Sequence, residues 1–143
     1  RINVVDALDG TPPYMHSFGI TEQHVVLPHM PVKFDINGAL GKGSLADAFV
    51  EIPLKKPSAD NSFLIVPLNG SKPMTRVLPV EDRLYYTHTV NTFENATGIV
   101  IDLTTASSNP FTRNLTVAAM TDKTTRDSDP DSRMVVKRFL LPW

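Results

Sequence analysis

There is no cysteine in the 143 residues. That excludes a disulfide framework, thiolate metal sites and cysteine nucleophiles, and it leaves the compartment open. An excess of either charge is also missing. Fourteen Lys and Arg face 15 Asp and Glu, for a net charge of −1. Such a balance carries no electrostatic footprint for nucleic acid and no polybasic patch for anionic lipid. Long apolar runs are absent too. Phe63-Leu64-Ile65-Val66 is typical of the longest, against the roughly 20 residues that a membrane span needs. No initiator Met and no signal peptide opens the chain, and Ile2-Asn3-Val4-Val5 is already strand-like. The sequence reads as an internal part of a single larger domain spanning residues 1–143. Its 41% hydrophobic and 20% charged residues are those of a folded chain.

What is present is a period of two. Val25 to Phe34, Ala48 to Leu54, Ser62 to Leu68, Met74 to Val80, Arg83 to Phe93, Gly98 to Thr104 and Met134 to Leu141 are short β-branched or aromatic runs parted by turn residues. Asn69-Gly70 predicts one hairpin, because both residues tolerate positive φ. Glu94-Asn95-Ala96-Thr97-Gly98 predicts another. The 12 prolines fall mostly at the edges of these runs and oppose long helices. Asn114 to Arg126 is the one candidate short helix. The Gly-rich segment Asp35 to Asp47 and the segment Thr121 to Ser132 read as loops. The expected class is all-β: a sandwich, barrel or propeller. No repeat at propeller period decides among them.

Four histidines carry the candidate chemistry: His16, His24, His29 and His88. Imidazole is a common neutral ligand for iron, copper, zinc and nickel. His24 and His29 stand five apart in one strand and so point to opposite faces, which favours hydrogen-bonded or surface roles for both. His16 and His88, 72 residues apart, have similar surroundings: an aromatic before, hydroxyl residues beside, an aromatic after. Each sits where a rigid strand backbone can aim a ring. We therefore expect these two to meet at one metal ion, with Asn91 and Glu94 as candidate hydrogen-bond supports for a ligand histidine.

The run His16-Ser17-Phe18-Gly19-Ile20-Thr21 resembles a motif of the carotenoid cleavage oxygenase family, which includes β-carotene oxygenases and the related retinoid isomerohydrolase. His88-Thr89-Val90-Asn91-Thr92-Phe93-Glu94 resembles the family's second histidine motif in full. Val25-Val26-Leu27, Pro31, Gly98 to Asp102 and Arg138 to Pro142 are similar to further family segments, in the same order. Pro13-Tyr14-Met15-His16 looks most like the animal branch. The resemblance implies a seven-bladed β-propeller, of which about two to three blades are present, with Fe(2+) held on its axis by four histidines. His16 and His88 match the second and third ligands; the first and fourth have no counterpart here. It further implies oxidative cleavage of a double bond in an apolar polyene, a carotenoid or apocarotenoid, with O2 as co-substrate. An isomerohydrolase or a non-catalytic binding propeller is the alternative. As a fragment, the chain is expected to be inactive alone. The segment Pro31 to Phe49 lies where animal relatives touch the membrane, so peripheral membrane contact is implied, with a cytoplasmic or membrane-peripheral location.

Other signals fall away. Gly41-Lys42-Gly43-Ser44-Leu45-Ala46 fits a dinucleotide pattern but lacks a β-α-β frame. Asp127 to Asp131 opens like a calcium loop, yet Ser132 stands where glycine is required and Arg138 where the twelfth-position carboxylate belongs. The sequons at Asn69, Asn95 and Asn114 barely exceed chance. There is no G-x-S-x-G elbow and no carboxylate pair suited to glycoside chemistry.

Overall fold

The computed structural model describes residues 14–42, 45–112 and 116–143. The strand-like start at residues 2–5, Gly43, Ser44 and the sequon at Asn114 lie outside them. Among the described residues nine strands dominate: β1 (Gly19–Ile20), β2 (His24–His29), β3 (Val32–Phe34), β4 (Phe49–Glu51), β5 (Ser62–Pro67), β6 (Met74–Val77), β7 (Tyr85–Asn95), β8 (Gly98–Ala106) and β9 (Val135–Pro142). They form three antiparallel sheets, ordered β1-β2-β5-β6, β3-β4 and β7-β8-β9. The chain is all-β with short helical connections, as the period of two predicts. Separate small antiparallel sheets are the form that blades of a propeller take.

Both predicted hairpins form. Gly70, at φ 83°, turns β5 into β6, and Gly98, at φ 153°, closes β7 onto β8. The long run from Val25 to Phe34 breaks into β2 and β3 at Met30-Pro31, and the excursion β3 to β4 is inserted before β5 pairs with β2. Pro28 survives inside β2 because β1 pairs only as far as Val26. No ladder partner on that side needs the missing N–H.

Two expected loops are corrected. Ile36–Lys42 forms helix α1 and Leu45–Ala48 a 3-10 turn. Asp35 accepts from the Gly38 N–H at 3.1 Å, and its carbonyl accepts from the Ala39 N–H. This N-cap outweighs the low helix propensity of the glycines over so short a span. The predicted helix near Asn114 to Arg126 is two single turns, α2 (Val117–Thr121) and α3 (Lys123–Asp127). Asp122 divides them. It ends α2 in an extended conformation, and its carboxylate caps the N–H groups of Thr124 and Thr125. That capping also makes helical the first part of the expected loop Thr121 to Ser132.

The core lies between the sheets. Val26, Phe63 and Ile65 from one side meet Leu84, Tyr86, Ile99, Ile101 and Leu103 from the other. β8 is buried on both faces along most of its length. Its Asp102 is tolerated there because Arg138 of β9 grips it with two bonds, 2.8 and 2.9 Å. The same guanidinium holds the carboxyl below its ordinary pKa. Asn61, fully buried, ties down the 79–84 turn. It donates to the carbonyls of Pro79 and Asp82 and accepts from the Leu84 N–H. This bracket sets the start of β7, the strand that carries His88.

Candidate metal centre

The segment 14–21 is lashed crosswise to β7 by a series of short contacts, and these bring His16 to His88. The buried Tyr86 hydroxyl sits 2.8 Å from the Ser17 carbonyl and 3.0 Å from that of Pro28, pinning the segment to both β7 and β2. Burial raises this phenol well above its ordinary pKa, so it remains a donor. The Ser17 hydroxyl accepts from the Thr89 N–H and donates to the Thr89 hydroxyl, both at 3.1 Å. Gly19 leaves room for Thr92 and Ile101. Thr21 donates to Glu94 at 3.0 Å.

His88 stands in a register break. The β7–β8 pairing shifts between Tyr86 and Thr89 and again between Thr89 and Asn91. A bulge of this kind re-aims a side chain and leaves local backbone groups unpaired. Here the Thr104 hydroxyl of β8 takes over: it accepts from the His88 N–H at 2.9 Å and lies 2.8 Å from the Thr87 hydroxyl. The ring of His88 is thereby turned outward.

The result is a pair of exposed imidazoles with centroids 5.0 Å apart and planes at 74°. Tyr14 Oη lies 2.9 Å from His16 Nδ1. Among the described residues the His88 ring takes part in no hydrogen bond. Two imidazoles, one on the segment before β1 and one on β7, each with a ring nitrogen to spare, suit adjacent positions on a borderline metal such as iron(II) or zinc. No third His, Cys, Asp or Glu joins them among the described residues. The pair fits part of a ligand set and leaves the rest to other groups.

The other two histidines are elsewhere. His24 Nδ1 donates to Glu94 at 2.8 Å under the indole of Trp143. Glu94 thus does support a histidine, but it is His24 and neither His16 nor His88. His29 is buried, and burial pushes its pKa below the ordinary value despite a hydrogen bond to the Ala59 carbonyl. Asn91 is exposed and, among the described residues, hydrogen-bonds to neither site histidine.

Sequence reading gave no role in the site to Tyr14, Ser17, Gly19 or Thr104. The first three lie inside or beside the first histidine motif. Thr104 is 16 residues from His88 and carried no signal.

A family model described as retinal pigment epithelial membrane protein matches residues 2–143. No match was found among curated proteins. Among solved structures the chain is similar to lignostilbene dioxygenase of Pseudomonas brassicacearum, with a TM-score of 0.55 and 20% identity over 88% of this chain and 23% of that one. It is also similar to an ACO/RPE65 chimera in monoclinic and trigonal crystals. There the TM-scores are 0.55 and 0.54 and the identities 18% and 17%, over 90% of this chain and 27% of the other. The chain therefore spans about a quarter of the length of the structures it matches. At such identities the likeness is one of fold, and it fits part of a propeller. With the family model running along essentially its whole length, the chain belongs to the retinal pigment epithelial membrane protein family, the carotenoid oxygenases to which its two histidine motifs point.

Proposed function

We propose that the chain forms part of a non-haem iron(II) dioxygenase. The reaction is cleavage of a carbon–carbon double bond of a carotenoid or apocarotenoid to two carbonyl products. His16 and His88 are two of four imidazole ligands in this reading. The observation that carries it is the convergence of these two rings, 72 residues apart in sequence, at 5.0 Å. Bound iron(II) supplies the activation of O2. This chain's residues hold and orient. β7 and the segment bonded across it before β1 fix the two imidazoles, and the aromatic group beside His16, formed by Tyr14, Phe34, Phe49 and Phe111, offers an apolar flank for a polyene. A solved relative named as a dioxygenase favours cleavage.

The second reading is an isomerohydrolase, favoured by the name of the matching family; iron then acts as a Lewis acid. Product analysis of the full-length, iron-loaded protein with a carotenoid or a retinyl ester separates the two. Aldehydes carrying oxygen from labelled O2 are the expected outcome. An isomerised alcohol supports the second reading. Binding without turnover makes the chain part of a non-catalytic propeller.

We also propose a peripheral membrane contact through α1. In α1, Ile36 and Leu40 are 59% and 78% exposed on one helical face, next to Phe34 at 39%. An apolar face at i and i+4 that projects into solvent suits insertion at a lipid headgroup boundary. Sedimentation with phosphatidylcholine vesicles is expected to fall several-fold in a variant carrying Ile36→Asp and Leu40→Asp. Unchanged sedimentation removes the contact.

A further inference from the structure

The two histidine motifs advance in step. His16 meets His88, the Ser17 hydroxyl meets Thr89, Gly19 packs on Thr92, and Thr21 meets Glu94. The sequence separation stays almost constant along the way, 72 residues at Ser17–Thr89 and 73 at Thr21–Glu94. We infer that Glu94 is the positioning residue of this register. By holding Thr21, its carboxylate sets how far along β7 the first motif stands, and so where the two imidazoles meet. The inference rests on the reading of His16 and His88 as ligands.

Three observations carry it. The first is where the contacts fall on β7. Tyr86 and Thr89, which hold Ser17, bracket the first of two shifts in the β7–β8 pairing. From Asn91 to Asn95 the pairing is regular, with Asn91 on Asp102 and Asn95 on Gly98. The Thr21 hydroxyl donates to Glu94 at 3.0 Å and so ties the first motif to the regular part of the strand. The second is that the carboxylate is itself restrained. Its Oε2 accepts from Thr21 and also from His24 Nδ1 at 2.8 Å, and the His24 and Glu94 side chains are only 12% and 17% exposed. Trp143 closes the cluster: its ring lies 5.3 Å from that of His24, and its indole N–H donates to the Asn95 carbonyl at 3.0 Å. The third is that Thr21 is fixed as well. Its hydroxyl accepts from the His24 N–H at 2.9 Å, and its own N–H donates to the His24 carbonyl at 2.9 Å. The turn between β1 and β2 therefore moves with the carboxylate.

A carboxylate oxygen that accepts two hydrogen bonds away from bulk water makes a stiff joint. Successive strand residues stand about 3.3 Å apart. A slip of one residue thus exceeds the whole length of a metal–imidazole bond, about 2.1 Å. Glutamine at position 94 keeps an acceptor oxygen for both partners, whereas alanine removes it.

The test uses the full-length protein, with iron(II) and cobalt(II) as probes. Glu94→Ala is expected to weaken binding of both ions about 10-fold and to shift the visible bands of bound cobalt(II). Glu94→Gln is expected to keep the wild-type affinity and bands. His29→Ala, a buried change away from this joint, is expected to keep both as well, which separates positioning from general destabilisation. Thr21→Val removes the same hydrogen bond from its other end while His24 stays on Glu94. Its loss of affinity and that of Glu94→Ala are expected not to add in the double variant. Wild-type affinity and bands in Glu94→Ala overturn the inference. So do losses that add in the double variant, or an equal loss in Glu94→Gln or in His29→Ala. Where Glu94→Ala does not fold, Thr21→Val alone decides: weakened affinity supports the inference and wild-type affinity overturns it. Failure of the underlying reading has a separate signature: His16→Ala then binds either ion as tightly as wild type.

Discussion

Alanine at His16 or His88 is expected to abolish tight iron(II) binding by the full-length protein while leaving the metal-free fold within about 0.5 kcal/mol of wild type. Both rings are exposed and neither is part of the core. What the fold needs at position 88 is the backbone N–H on Thr104, which alanine retains. The other two histidines are expected to behave in the opposite way. His24→Ala takes from the half-buried Glu94 one of its two partners, and His29→Ala opens a cavity at a buried site, so each is expected to cost about 1–3 kcal/mol with iron retained. Metal analysis and denaturant midpoints on the four variants check this. An alanine variant at position 16 or 88 that keeps iron as tightly as wild type would falsify the ligand assignment. There is a pH corollary for His29. Its folded pKa lies below the unfolded value, because burial disfavours the charged form. Its contribution to stability is therefore complete above about pH 6.5 and declines as the pH falls below that value. Replacing His29 with glutamine removes that component of the acid sensitivity.

Gly19→Ala is expected to lower both stability and metal binding. A methyl group there overlaps Thr92 Oγ1 and comes within 2.9 Å of Thr92 Cγ2 and 3.1 Å of Ile101 Cδ1. The backbone of Gly19 is not left-handed, so the obstacle is packing alone. Relief requires β1 to lift from β7, which also draws His16 away from His88. The expected loss is about 2–3 kcal/mol, within the range of overpacked cores, together with weaker metal binding. The added Thr92→Ala change is expected to restore most of the stability, since it removes both of the nearest atoms. It also removes a buried hydroxyl that has no hydrogen-bond partner among the described residues. Urea midpoints of the two single variants and the double variant form the cycle. Additive losses, with no rescue, mean that β1 does not pack on β7 in this way.

The comparison of Ser17 with Thr104 shows what a sequence can and cannot carry. Ser17 adjoins His16 inside a short motif, and its hydroxyl binds the strand of the second motif. The motif therefore contained it, but its role appears only with its partner. Thr104 serves His88 only because β8 returns beside β7 and a bulge frees the His88 N–H. A register shift has no signature in residue type. Glu94 shows the reverse case. Its nearness to His88 in sequence made it one candidate support for a site histidine, although the resemblance places the family's supporting glutamates elsewhere, and in the fold it meets His24 instead. Likewise, glycine content predicted a loop at Asp35 to Asp47, where one capping carboxylate was enough to start a helix.

The sequence by itself determined the β class, both Asn- and Gly-bearing hairpins, the family and the two histidines of the proposed centre. These rest on period-two patterning, positive-φ turn chemistry and contiguous motifs, all of which are local. Only the tertiary structure decided that the two rings lie edge to face, that Thr104 and Tyr14 stand behind them, and that His24 is spent on Glu94. Those outcomes depend on which strands lie side by side and in what register. Such choices are fixed by burying Tyr86, Ile99 and Ile101 against Val26 and Phe63 across the whole chain.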